Sequence, residues 1–442
     1  MADDPIREAF DILERERPLP SSGFADALFD RLVEQRRAPA VPGPRSWPVL
    51  SPSVRKALVA VAALAIAIAA LIPLLPLARN DARPGRLGPG DIVWTHRFSG
   101  RGGNVHSATV AASSSGPSIG FPSGPNLYGI QWELYQYGSD GRRRWTLTSV
   151  LRSPTIPIAS DDEGDVYYVT LYPDAPMLKK YSPAGTELRA ELLPFGGYAY
   201  GMAVDRGNVY LVGDTFGHPP GSDPVGFHGP FVAAVDPYGA VLWVRPVADT
   251  TVEAETPLAV AEPPLTVAVD TRGIYVLGEA ASSAGWRLTA FDLDGKVRWS
   301  QVLDIAGSVA VDRATVYVAG SRRATVEVTA FSTSGARLWS QRWDEDRGAH
   351  VTGIAAGAGG VFIAGTTGVG DAQGSGFVRA FDADGADAWT TSLGSLRVLS
   401  IAFFDDALYV GGTVRETDGP VRHVDGFLAK LVAGIVPADS SS

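Results

Sequence analysis

The residues of this chain best placed to do chemistry lie in short acidic runs. Asp292-x-Asp294-Gly295 and Asp382-x-Asp384-Gly385 set carboxylates at alternate positions ahead of a glycine, half the pattern of a calcium-binding loop. Corresponding segments of the same chain carry Ser332-x-Ser334-Gly335 and Asp236-x-Tyr238-Gly239 instead. What recurs is a side chain that caps a turn and a glycine free to turn left-handed, so turn chemistry is expected rather than a metal. Asp161-Asp162-Glu163-Gly164-Asp165 is denser in charge and is read as a solvated turn. No Ser-His-Asp order, histidine pair at i and i+4, or phosphate-cradling glycine loop occurs in a suitable context. The 442 residues include no cysteine, which excludes a thiol nucleophile, a Cys-ligated metal centre, a disulfide framework and a lipobox anchor. No metal or cofactor is assigned, and a non-catalytic role is favoured over an enzymatic one.

One dispersed set is more suggestive. Tyr198, His350 and Arg397, with His106 nearby, form a mixed aromatic and cationic group suited to an anionic or carbohydrate-like ligand. Plain solvent-lining positions are the alternative. These residues are far apart in the chain, so they make a site only if repeated elements carry them to one place.

Such repeats are present. One phrase reads apolar-Val-Asp-x-x-x-apolar-Tyr-x-x-Gly, as in 203–213, 268–278 and 310–320, with weaker copies at 158–170, 354–365 and 401–412. A second runs from an apolar residue through Asp-x-x-Gly to Trp four residues later, as in Phe231…Asp236…Gly239…Trp243 and in the segments ending at Trp299, Trp339 and Trp389. Each alternates apolar and polar residues and turns on Gly, so each is expected to be a strand–turn–strand. Joined, they give four strands, A to D, in about 40–55 residues, the period of a propeller blade. Strand B markers fall at Ile119, Tyr167, Tyr210, Tyr275, Tyr317, Phe362 and Tyr409. The fold class is therefore all-β: a seven-bladed β-propeller of four-stranded blades. The last blade lacks a Trp strand after 427–431, whereas Asp91-Ile92-Val93-Trp94 is an orphan ahead of the first. The N-terminal strand is expected to close the ring and hide its free edges.

The A–B and C–D turns are short, but B–C and D–A connections include the long runs 213–230, 245–265 and 411–426. In a four-stranded meander these emerge on one face, where recognition is usually built. His106, His218, His228, His350 and His423 fall on that face and His96 on a Trp strand. The starts of the A strands, Ser107, Thr155, Tyr198, Pro263, Ile305, His350 and Arg397, are expected to ring the mouth of the central channel.

The phrases AVDRGNVYLVGDT and FVAAVDPYGAVLW resemble the bacterial SBBP-type β-propeller repeat, and AFDLDGKVRW resembles the tryptophan-docking motif of pyrroloquinoline-quinone-like propellers. The resemblance covers about 91–432 and implies architecture, with an exported or surface-attached location, more than any one activity. A quinoprotein dehydrogenase would be the implied enzyme. Against it stand the missing adjacent cysteines, seven blades rather than the usual eight, and no Glu/Asn/Asp calcium set.

Ahead of the repeats, Ala57 to Ala78 carries no charge and is long enough, at about 1.5 Å per residue, to cross a bilayer core of about 30 Å as one helix. It is read as a signal anchor in a bacterial inner membrane. Basic residues before it favour a cytoplasmic N-terminus and an extracytoplasmic propeller. Residues 1–56 balance in charge, so the net −10 sits after the anchor and argues against a nucleic-acid surface. The expected organisation is a leader with a Pro-rich tether over 1–56, the span 57–78, a linker 79–90, the propeller 91–434 and a disordered tail 435–442. Within the leader, Phe24, Leu28 and Leu32 mark an apolar helical stripe. SSGFADALFDRLVEQRR resembles the cytoplasmic leaders of bacterial anti-sigma-type membrane proteins, which implies a cytoplasmic protein partner such as a sigma factor. Two functional classes follow: a binding or scaffold propeller taking a protein or carbohydrate-like ligand, and a sensor whose leader docks a partner.

Overall fold

The computed structural model describes residues 87–100, 104–105, 107–124, 131–150, 156–171, 175–217, 229–247, 265–280, 285–322, 324–345, 347–368, 374–415 and 424–435. The leader stripe Phe24, Leu28 and Leu32, the run Ala57–Ala78, and His106 lie outside them. Every regular element among the described residues is a β-strand, and no helix among them is long and apolar enough to cross a membrane.

The strands form seven antiparallel sheets, each a blade in the order A-B-C-D. Blades I to VI span 104–150, 158–192, 196–246, 265–303, 306–344 and 349–394, and blade VII combines 396–432 with 92–98. In blade I strand A is split, Asn104–Val105 and Thr109–Ser113 both pairing with Gly116–Gly124. Each A strand packs on the A strand of the next blade, and that of blade VII packs on blade I, so the inner ring closes.

One apolar cluster fills each of the seven gaps between neighbouring blades. Strands B and C are consequently buried on both faces. Phe231–Val235 is buried throughout and Val209–Val212 nearly so, where a half-exposed sheet would alternate. The central strands therefore depart from the period-two expectation, because each sheet is sandwiched between two others.

A second device locks the blades. The Trp of strand D donates its indole N–H to a carbonyl in the C–D turn of the next blade: Trp145 to Pro183 at 2.9 Å, Trp243 to Leu293 at 3.1 Å, Trp299 to Thr333 at 2.9 Å and Trp339 to Ala383 at 2.8 Å. The indole lies against the glycine of that turn, which has positive φ. The turns are capped as expected. The Oδ1 atoms of Asp292 and Asp382 accept from the amides two and four residues on, where Ser332 Oγ accepts from the amide of Ala336 and shares a hydrogen bond with the Ser334 hydroxyl.

Closure follows the same rule with residues from both ends of the chain. The strand Ile92–Phe98 pairs antiparallel with Val424–Val432, Trp94 opposite Lys430 and Phe98 opposite Gly426. Trp389 donates to Gly434 at 3.0 Å, and Gly90, with φ of 80°, takes the place of the turn glycine against its ring. Gly88 to Gly90 therefore belong to the ring, ahead of the expected boundary at Asp91. At the other end, Ile435 packs on the core of blades VI and VII.

Candidate functional site at the channel mouth

Around the axis, the A strands enclose a cavity of about 350 Å³ on the side of the B–C and D–A connections. Its lining includes the hydroxyl residues Ser107, Thr109, Thr266, Ser308, Thr352 and Ser400, together with Tyr200, drawn from six of the seven blades. Between them stand apolar groups such as Ile158, Met202, Trp286 and Ile354, and among the described residues no Asp, Glu, Lys, Arg or His lines the wall.

The shape of this wall depends on β-bulges. Strand A skips one residue against strand B between Ala199 and Gly201, between Val351 and Gly353, and between Val398 and Ser400. The skipped residues, Tyr200, Thr352 and Leu399, all line the cavity. Bulges re-aim side chains in this way and are common beside functional sites. They need small neighbours: a Cβ on Gly353 would lie 3.0 Å from Cγ2 of Ile401, and one on Gly201 would lie 3.2 Å from the carbonyl oxygen of Leu265.

Tyr198, His350 and Arg397 occupy equivalent positions, paired with Asp214, Thr366 and Thr413 respectively. The cavity wall begins one or two residues further along each strand, at Tyr200, Val351 and Leu399. Tyr198 and His350 are half-buried and Arg397 is exposed. His350 and Arg397 sit on adjacent blades, whereas Tyr198 is on blade III, three blades from either. Tyr198 stacks on Tyr200, ring centroids 6.5 Å apart. Of the positions expected at the A-strand starts, Ser107 lines the cavity. Tyr200 and Thr352 were not singled out by the repeat pattern; the glycine that follows each was the available signal.

Hydrogen bonds hold the wall together across blade boundaries. Thr352 Oγ1 donates to the Val398 carbonyl at 3.0 Å, and Ser400 Oγ accepts from the Val110 amide at 3.0 Å. Thr266 Oγ1 is buried without a partner among the described residues. Burial, then the Asp214 carboxylate and Tyr198, push the Tyr200 phenol up to about 12, so it stays a hydrogen-bond donor at neutral pH.

The acidic turn of blade II differs from the solvated expectation. Asp161 is buried, accepts from the Asp165 amide at 2.8 Å, and accepts from the Tyr167 hydroxyl at 2.9 Å. Carboxylate oxygens of Asp161, Glu163 and Asp165 lie within 4.8 Å of one another. Lys180 Nζ approaches Asp165 at 2.7 Å and Asp161 at 3.5 Å, so the chain brings its own cation to this group. Burial alone would lower the Lys180 pKa, but Asp165 and Tyr167 outweigh it and hold the ammonium above its ordinary range.

Residues 228–407 match the family model described as outer membrane protein assembly factor BamB. That stretch runs from strand C of blade III to the start of strand B in blade VII, where the tryptophan-docked turns are most regular. This match and the seven-bladed ring support a PQQ-like β-propeller, and a propeller of that type fits a binding or scaffold module. The SBBP-type likeness rests on sequence phrases alone. Among solved structures, the chain is similar to puromycin hydrolase at 15% identity and a TM-score of 0.47, covering 80% of this chain and 58% of that one. It thus spans little more than half of that enzyme. BBS1N, solved in complex with ARL6DN, is similar at 13% identity and a TM-score of 0.45, covering 78% of this chain and 98% of that one. A protein of unknown function from Bacteroides caccae is similar at 15% identity and a TM-score of 0.38, covering 62% and 93%. Likenesses this distant concern the fold alone. No curated protein matches the sequence.

Proposed function

We propose that the chain is a non-catalytic binding or scaffold module that engages a protein or carbohydrate-like ligand through the face bearing its B–C and D–A loops. The observation that carries this reading is the contrast between the two faces of the ring. Six of the seven A–B connections are two-residue turns, whereas the B–C and D–A connections include the long runs 218–228, 247–264 and 416–423. A rigid scaffold with variable loops on one side is the plan of a recognition surface. The cavity, whose described lining holds no charged residue, lies toward that same side and suits recognition. The assembly-factor description of the matching family also favours a scaffold.

The uncharged run Ala57–Ala78 supports single-pass attachment to a bacterial inner membrane, with residues 1–56 cytoplasmic and the propeller outside. Binding of the full-length chain to protein and glycan arrays tests the reading. Replacing 218–228 and 416–423 by short Gly-Ser turns is expected to abolish binding while leaving the melting temperature unchanged. Binding that survives both replacements, or no binding by the wild type, refutes it.

The leader stripe favours a second reading, a sensor whose Phe24, Leu28 and Leu32 dock a cytoplasmic protein such as a sigma factor. Full-length bait carrying Phe24→Asp and Leu28→Asp is expected to lose that partner; identical partner sets from both baits exclude it.

A further inference from the structure

We propose that the channel-mouth cavity binds a neutral polyhydroxylated ligand, a mono- or disaccharide, with Tyr200 and Trp286 as apolar platforms and Ser308 and Thr352 as hydrogen-bonding partners. This rests on the reading of the loop face as a binding surface and names the ligand class of its cavity.

The size fits: about 350 Å³ falls within the roughly 300–1,000 Å³ of small-molecule pockets. The chemistry of the wall narrows the class. A charged ligand would shed its hydration against a lining that offers no opposite charge among the described residues. A purely apolar ligand would desolvate hydroxyl residues of the wall such as Ser107, Thr109 and Ser308 and return no hydrogen bond to them. A saccharide has C–H faces and hydroxyl edges, so it meets both kinds of surface at once. The aromatic rings suit the first, since their faces are electron-rich and apolar. Tyr200 and Thr352 reach the wall only because strand A bulges at each, so both contacts are built by the backbone itself. Tyr200 is further braced by the stacked ring of Tyr198.

Isothermal titration of the full-length chain with glucose, N-acetylglucosamine, maltose and cellobiose tests the proposal, with tetramethylammonium and inorganic phosphate as charged controls. Saturable binding of at least one sugar is expected, and of neither control. Tyr200→Ala should weaken it roughly tenfold. Ser308→Ala removes one hydroxyl of the wall, so it should weaken binding roughly two- to tenfold while leaving the melting temperature unchanged. The proposal is overturned if none of the four sugars binds, if both variants bind as the wild type does, or if a control binds equally well. If the sugars are silent while loop-dependent array binding persists, this inference falls and the binding-module reading stands. Silence in both assays removes both.

Discussion

Gly385 carries a disproportionate share of one blade junction. Its φ is 86°, and a Cβ there would lie 2.7 Å from Cδ2 of Trp339, inside the indole that docks on it. Gly359 has a similar φ of 80° but meets nothing within 4 Å, so it separates backbone strain from lost docking. Gly359→Ala should cost about 1–2 kcal/mol, the left-handed penalty alone, whereas Gly385→Ala should cost about 3 kcal/mol because the Trp339 ring must also move. Urea unfolding of the two variants checks the difference, and equal midpoints would show that docking adds nothing. The buried tyrosines give a second prediction. Burial, with the Asp270 carboxylate, pushes Tyr275 up to about 12. The unfolded chain loses this proton near pH 10, so between about pH 10 and 12 only the folded state keeps it, and stability falls as pH rises. Tyr275→Phe should flatten that fall by at most about 1.4 kcal/mol per pH unit. Denaturant midpoints taken across that range would read it, and an unchanged slope would refute it.

The blades are alike in plan but unequal in how firmly they are joined. Between blades II and III no indole docks among the described residues. Gly239 is met instead by Glu191 and by Arg189, whose guanidinium stands 5.8 Å from the ring centre of the exposed Tyr238. Arg189 and Glu191 pair at 3.9 Å near the surface, an interaction of little net worth. This seam should be the first to open. Arg189→Trp, at the position four residues after Gly185, should raise stability by about 1 kcal/mol and slow amide exchange over Glu187–Leu192. Unchanged exchange there would show that the seam is not the weak point. How much of this was legible depends on where burial doubles the signal. The seven strand B markers from Ile119 to Tyr409 all lie in B strands, because a strand packed on both faces writes a continuous apolar run. The docking tryptophans were legible for a similar reason, since each must meet a glycine at fixed spacing. The cavity wall was not. Strand A touches solvent along the axis and tolerates mixed residues, and its bulges at Tyr200, Thr352 and Leu399 are marked in the sequence only by the small residue that follows each, Gly201, Gly353 and Ser400.

At the scale of the whole ring, integrity depends on residues that the chain makes first. Deleting residues 1–98 removes strand D of blade VII and the glycine on which Trp389 docks, leaving Val424–Val432 as a bare edge. Such an edge invites pairing with another chain. The truncated protein should self-associate, as measured by light scattering after gel filtration, and a monomer with an unchanged melting temperature would contradict the closure. The same pairing sets an order of events in synthesis. Trp94 and Lys430 are neighbours in the ring but 336 residues apart along the chain. At about 5–20 residues per second, the strand Ile92–Phe98 emerges on the order of tens of seconds before its partner exists. Throughout that interval it is a nascent strand with a free edge and with Trp94 and Phe98, which the closed ring covers, still exposed, so a holding factor or a cotranslational chaperone has its natural target there.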